Sequence, residues 1–359
     1  MTMIRQRLPE SVFNRVFVFV LNLLEEKGVL RGKTVAIDAT TLEANAAMKS
    51  IVRKDTGQDW KEYLRGLAKA EGIETPTEEE LRRLDRGRKG KKVSNAQWES
   101  PTDRDSRRAK MKDRRTHLAY KAEHALDLES EAIVATTVTF ADKSDPQSGP
   151  VTLSLAEANL VLAGSATEIE ETVMDKGYRD NGLLAGLARR GVRTYIPERR
   201  QKNRCWTDKP LEQEEAFRGN RRRVRGKKGR RLNRWRSERC ERTFAHGCET
   251  GGGRRAWLRG QKNVSKAHTL KCAAYNLGLL LRKVWGMRKP RNADEGVWGG
   301  LWAGLAWLTM AAVMIYRMTS RPESLLWDII GLVLITAVAG SAFAFMNRPR
   351  KKRPFLTGC

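Results

Sequence analysis

Three acidic positions in this chain have settings that suit the binding of a divalent cation. Asp38 follows the apolar, β-branched run Thr34–Ile37 in KTVAIDATTLEAN, a setting that places a carboxylate at the tip of a short buried strand. Asp175 follows Thr172-Val173-Met174 in the same way, and Gly177 turns the backbone out just after it. A lone aspartate at a strand tip is usually a turn or cap residue. Two in one domain, on strands that can lie side by side, repel each other, and a bound cation relieves that repulsion with hard oxygen ligands. A third acid is expected from a helix packed beside the strand ends. LNRWRSERCERTFAHG offers Glu238 and Glu241, three residues apart on one helical face, and spacing alone leaves both open.

Positive charge surrounds these acids. The 359 residues contain 69 Lys and Arg against 42 Asp and Glu, a formal net charge of +27 that calls for a polyanionic partner, nucleic acid or an anionic membrane surface. The segment Arg218 to Arg236 has eleven basic residues, no acid and an interleaved Trp235, the composition of a clamp on a DNA backbone. A second basic run, Arg86–Lys92, closes a charged stretch over 46–108 that reads either as a solvated, partly disordered insertion or as a phosphate-contacting arm. Five cysteines without a CxxC pair fit a reducing, cytoplasmic setting. Cys240, His246 and Cys248 lack a fourth zinc ligand, so a zinc site is not expected from them. His117 and His124 read as packed strand residues, and Glu43, Asp127 and Asp142 as turn or salt-bridge acids.

The elements that must position the acids follow from periodicity and punctuation. A helix is predicted from Pro9-Glu10-Ser11 to a Gly28 stop, with Val12, Val16, Phe17, Val20, Leu23 and Leu24 facing the core; the acidic Glu25-Glu26 after it do not fit a signal peptide. Helical pieces are predicted around Trp60–Ala70 and from Thr77 onward. Alternation over THLAYKAEHALDL and the β-branched Ala132–Phe140 predict a hairpin. Asp142 to Pro150 reads as a loop, Val151–Leu162 and Leu183–Arg190 as helices, and Val192–Ile196 as a last strand. Strands that first meander and then alternate with helices predict an α/β fold, a mixed sheet flanked by helices, with the first strand beside the Asp175 strand.

Taken together, KTVAIDATTLEANAAMKS, KMKDRRTHLAYKAEHALDL, VMDKGYRD, RTYIPE, SERCERTFAHGCETGGGRRAWLRGQKNV and AAYNLGLLLR resemble, in this order, the bacterial insertion-sequence transposases of the DDE type. The resemblance runs from about Ile4 to Arg291. It implies an RNase H-like catalytic domain over 33–291 behind an N-terminal helix at 1–32, with the insertion at 46–108. It implies Asp38, Asp175 and Glu241 as catalytic residues and ligands of two Mg²⁺ ions, with Mn²⁺ as the alternative. The implied activity is cleavage at transposon ends and strand transfer into target DNA by an oligomer of this chain, in the cytoplasm and associated with the nucleoid. The residues assigned to DNA are Arg221, Arg222, Arg223, Arg225, Lys227, Lys228, Arg230, Arg231, Arg254 and Arg255. Two departures stand out: no separate DNA-reading domain fits before the first strand, and Arg234, Ser237 and Cys248 occupy positions where relatives place tyrosine, arginine and lysine around the third acid. A truncated remnant that only binds DNA is the competing expectation.

The tail, 292–359, is unlike the family. Val297–Tyr316 has no charged residue and Leu325–Met346 only Asp328, so 297–346 reads either as a pair of apolar helices that pack or oligomerise or as a membrane hairpin with basic cytoplasmic flanks.

Overall fold

The structure, a computed structural model, describes residues 7–88, 94–111, 113–199 and 205–286. Both the 292–359 tail and the 291 boundary lie outside them, as does most of the Arg86–Lys92 run. Among the described residues no helix is long and apolar enough to cross a membrane.

The chain opens with α1 (Glu10–Glu26), stopped by Gly28 at φ 62°, a left-handed conformation that glycine adopts without a Cβ penalty. Its buried stripe is Phe13, Phe17, Val20, Leu21 and Leu24. Val16 stays 42% exposed, so the stripe is rotated from the predicted one. The packing partner decides the phase: α1 lies along the last described helix, α8 (Gln261–Trp285), where Lys266 donates to the Leu8 carbonyl (2.7 Å) and Ser265 to Glu10 (2.6 Å).

A six-stranded mixed sheet forms the centre. Its strands are β1 (Thr34–Glu43), β4 (Arg107–Lys110), β5 (Thr116–Asp127), β6 (Ile133–Phe140), β7 (Glu171–Met174) and β8 (Arg193–Tyr195). The order is β4-β5-β1-β7-β8, with β6 also on β5. β1, β5 and β6 form an antiparallel meander, and β7 and β8 are parallel additions on the other side of β1. Side chains alternate between the faces of β5. Glu123 meets α4 (Asp145–Leu162) through Ser148 and Thr152, whereas His124 meets α7 (Lys227–Ala245) and α8 through Thr243 and His268. The sheet is therefore covered on both faces.

Several predicted elements move. β1 continues to Glu43, so Asp38 lies inside the strand. The helix expected from Val151 begins at Asp145: Pro146 fits the first helical turn, where its missing N–H costs nothing, and the helix continues through Gly149 and Pro150, which lies in its interior. The 46–108 insertion is also ordered where described. Its α2 (Trp60–Ala70) and α3 (Glu78–Gly87) each open with a capping box, Asp59 with Glu62 and Thr77 with Glu80, and bury Leu64, Ala68 and Leu81 between them. The short pair β2 (Val52–Arg53) and β3 (Trp98–Glu99) adds Trp98, packed against Trp60 and Tyr63 with ring centroids 5.2 and 5.5 Å away. α5 (Asn181–Arg189) and α6 (Leu211–Arg225) complete the fold.

Candidate active site

The parallel pairing of β7 on β1 runs Thr34↔Glu171 to Ile37↔Met174. The next residue on each strand is Asp38 and Asp175, so the ladder ends where the two acids begin. A single side chain from α7 bridges them: Arg236 donates to Asp38 Oδ2 at 2.7 Å and lies 3.6 Å from Asp175 Oδ1. The Asp38 side chain is 20% exposed and Asp175 44%. Asp38 Oδ1 also accepts from the Ala39 N–H at 2.9 Å. Burial raises the Asp38 carboxyl above its ordinary value, opposed by the Arg236 charge and the Ala39 N–H and reinforced by Asp175 and Glu241.

The third acid sits on the same helix as Arg236. Glu241 is exposed and its charge reaches Asp38, while among the described residues it has no ion-pair partner. Glu238 is instead drawn to Arg242 (2.6 Å), which also holds Glu131 (2.8 Å). The geometry thus brings Asp38 and Asp175 onto one cation and leaves Glu241, rather than Glu238, as the uncommitted acid near them.

Gly226 breaks the basic segment into α6 and α7, and the buried Gly229 lets them cross: a Cβ there would come within 2.8 Å of the Val224 backbone. Lys227, Arg230, Arg231 and Arg234 line a shallow groove along the start of α7. Their spacing of three, four and seven residues puts them on one helical stripe, and the same stripe continues to Glu241, about 21 Å along the axis from Lys227 at roughly 1.5 Å per residue. Other residues assigned to DNA make contacts within the fold. Arg223 donates to the Thr194 carbonyl and hydroxyl at 3.0 and 3.2 Å, Lys228 binds Glu171 at 2.6 Å, and Arg221 lies 3.4 Å from Glu198. Arg222 and Arg225 are exposed on α6. Arg254 and Arg255 lie beside the far end of β1, where the Arg254 carbonyl accepts from the Glu43 N–H (2.9 Å).

Under the opposite face lies a polar network with no counterpart in the sequence reading. The fully buried Glu123 carboxylate is held by Lys121 (2.9 Å), Ser148 (2.5 Å), Thr152 (2.6 Å) and the Tyr178 hydroxyl (2.9 Å). Tyr178 closes the short turn that starts at Asp175, where its N–H bonds the Asp175 carbonyl at 3.1 Å. Gly149 makes room for it, since a Cβ there would lie 2.7 Å from the Tyr178 ring. The turn bearing the second acid is therefore anchored to a buried charge. Lys121 and Glu123, two charged residues two apart within the buried part of the strand, were the available signal in THLAYKAEHALDL. Asp127 is a turn acid as expected, accepting from Arg31, Glu129 and Ser130.

Residues 198–281, spanning α6, α7 and most of α8, match the family model described as transposase DDE domain. The likeness to that family lies in this stretch of the chain. No curated protein and no solved structure matches the chain. The matched part contains Arg236 and Glu241, while Asp38 and Asp175 reach the site from the sheet.

Proposed function

We propose that this chain is an insertion-sequence transposase whose RNase H-like domain cleaves the element's ends and joins the freed strand to target DNA, with Asp38, Asp175 and Glu241 as its metal ligands. One observation carries the proposal: Asp38 and Asp175 extend from adjacent parallel strands at the same level and share one guanidinium. The fit to a cation can be judged from Arg236 itself. Two carboxylates already converge on a positive group, and the Arg236 Nε is buried without a hydrogen-bond partner, so this side chain is incompletely satisfied where it lies.

Divalent cations bound by these oxygens, Mg²⁺ or Mn²⁺, supply stabilisation of the entering and leaving oxygens of phosphoryl transfer. The protein does the rest. The Ala39 N–H fixes the direction of the Asp38 carboxylate, and the Tyr178–Glu123 anchor fixes the turn of Asp175. The α7 stripe from Lys227 to Arg234 takes successive phosphates and aligns the strand toward Glu241. Arg236, which now occupies the space between the aspartates, would have to give up these contacts to cations held by Asp38 and Asp175.

The test is cleavage of the DNA flanking the chain's own gene. The wild type is expected to nick it only with Mg²⁺ or Mn²⁺. Asp38→Asn, Asp175→Asn and Glu241→Gln should fall to background while retaining DNA binding, and Glu238→Gln should stay active. An inactive wild type that still binds DNA would establish the remnant reading instead. An inactive Glu238→Gln beside an active Glu241→Gln would transfer the third role to Glu238.

A further inference from the structure

Behind the acid site, on the same face of the sheet, lies a second convergence of ligand-type side chains. Asp38 pairs across the ladder with His124 on β5. The His124 ring is buried against α7 and α8, stacked on Phe244 with centroids 4.2 Å apart. Its Nε2 lies 2.9 Å from His268 Nε2 and 3.4 Å from Cys272 Sγ, and the three ligand atoms are all within 4.8 Å of one another. Cys248, in the π-helical turn His246–Thr250 that follows α7, lines the same narrow cavity together with Thr243, Gly253 and Lys271.

Hydrogen-bond bookkeeping decides what this cluster is suited to. The Thr243 hydroxyl donates its one proton to the Cys240 carbonyl at 2.8 Å. Toward His124 Nδ1, 3.1 Å away, that oxygen can therefore only accept, so Nδ1 carries the ring proton and Nε2 presents a lone pair. One lone pair is then approached by two donors, the His268 ring N–H and the Cys272 thiol. A single cation placed among them replaces both protons and accepts a lone pair from every side. An imidazole oriented by a hydroxyl on its other nitrogen is the usual support of a metal-bound histidine.

We propose that His124, His268 and Cys272 form a transition-metal site, of the class that takes Zn²⁺, separate from the acidic site, with Cys248, which lines the same cavity but lies outside their 4.8 Å cluster, drawn in as the fourth ligand. Two imidazoles and two thiols are a preferred donor set for tetrahedral zinc, and mismatch hard Mg²⁺. Zinc–nitrogen bonds of about 2.0–2.1 Å place two ring nitrogens about 3.3 Å apart, so the observed 2.9 Å asks for a movement of a few tenths of an ångström. Lys271 lies within electrostatic range of both Cys248 and Cys272, which gives each thiolate a neighbouring cation. Bound metal would tie β5, the turn after α7 and α8 into one block, and so fix the helix that presents Arg236 and Glu241. With Cys248 drawn in, protein would fill all four positions and the metal's role would be structural.

The proposal is tested on the full chain, purified, dialysed and analysed for metal, then loaded with Co²⁺ as a spectroscopic probe. The expected result is close to one equivalent of retained zinc, with tetrahedral d–d bands and a thiolate-to-cobalt charge-transfer band after exchange. Asp175→Asn should keep all of these, and the double variant His268→Ala, Cys272→Ser should lose them. Thr243→Val, a milder change, should weaken zinc binding about 10–100-fold while the ligands remain. No retained transition metal and no charge-transfer band in the wild type would overturn the proposal. So would full retention of both by the double variant, and an unchanged charge-transfer intensity in Cys248→Ser would remove Cys248 from the site.

Discussion

Replacing Glu123 with alanine probes how the second acid is held. The carboxylate is fully buried and engaged by an ammonium and three hydroxyls, at 2.5 to 2.9 Å. Without it, Lys121 keeps Asp145 at 2.6 Å as its one carboxylate, with the Ser148 hydroxyl at 2.8 Å and the Lys143 carbonyl at 3.4 Å, while the Ser148 and Thr152 hydroxyls fall back on carbonyls one turn earlier, at 3.2 and 3.3 Å. The Tyr178 hydroxyl has no such substitute among its contacts. Removing one partner of a buried ion pair costs about 3–5 kcal/mol, a large part of a typical stability of roughly 5–15 kcal/mol. At about 2–4 °C per kcal/mol for a domain of this size, the melting temperature of Glu123→Ala should fall by roughly 6–20 °C. Tyr178→Phe removes a single hydrogen bond, costing about 1 kcal/mol, yet it frees the Asp175 turn. Its melting temperature should fall by only about 2–4 °C while the DNA cleavage rate falls and DNA affinity stays the same. Calorimetry paired with a nicking assay separates the two effects. A Glu123→Ala protein that melts within about 2 °C of the wild type would refute the idea that this charge supports the turn.

The α7 groove predicts a salt effect: with Lys227, Arg230, Arg231 and Arg234 changed to glutamine, the slope of log affinity against log salt should flatten by up to about 3.6, at roughly 0.9 per phosphate contact, measured by fluorescence anisotropy. Gly149→Ala should cost about 1–3 kcal/mol in urea melts, because the added methyl meets the Tyr178 ring. Glu171 is raised by burial but brought below its usual value overall by Lys228, Thr34 and Tyr195, so its stabilising contribution is complete above about pH 4.3 and is lost as pH falls through the lower folded value. Lys228→Met should therefore be less stable than the wild type at pH 7, and the gap should close on acidification below about pH 4; a gap that stays constant would contradict the pairing.

The acids of the site were legible because each aspartate follows a run of β-branched residues, a local pattern that survives without knowledge of its partner. Their adjacency was legible only through topology: a meander followed by helix-separated strands leaves few places for the Asp175 strand other than beside β1. The choice between Glu238 and Glu241 was not open to spacing, since the two share a helical face and the competition of Arg242 for Glu238 depends on Glu131, over a hundred residues away. Arg236 was hidden among ten other basic residues of its segment. The order in the insertion was partly written in Asp59/Glu62 and Thr77/Glu80, both capping pairs, but outweighed by the high local charge. His268 and Cys272 share no motif spacing with His124, 144 and 148 residues earlier, so only folding brings them together.

The pairing of α1 with α8 has a consequence for synthesis. The first helix leaves the ribosome with Phe13, Phe17, Val20, Leu21 and Leu24 exposed, and the helix that covers them emerges some 250 residues later. Glu241 is made just before that covering helix. Until then the growing chain is an open clasp with a sticky end, a natural client for chaperones that hold apolar segments. A complete set of acids and a closed domain thus arrive almost together, so nascent fragments released before residue 241 would have neither. Ribosome-bound chains stalled at residue 250 should accordingly be cut by protease within α1, whereas chains extended past residue 320 should resist.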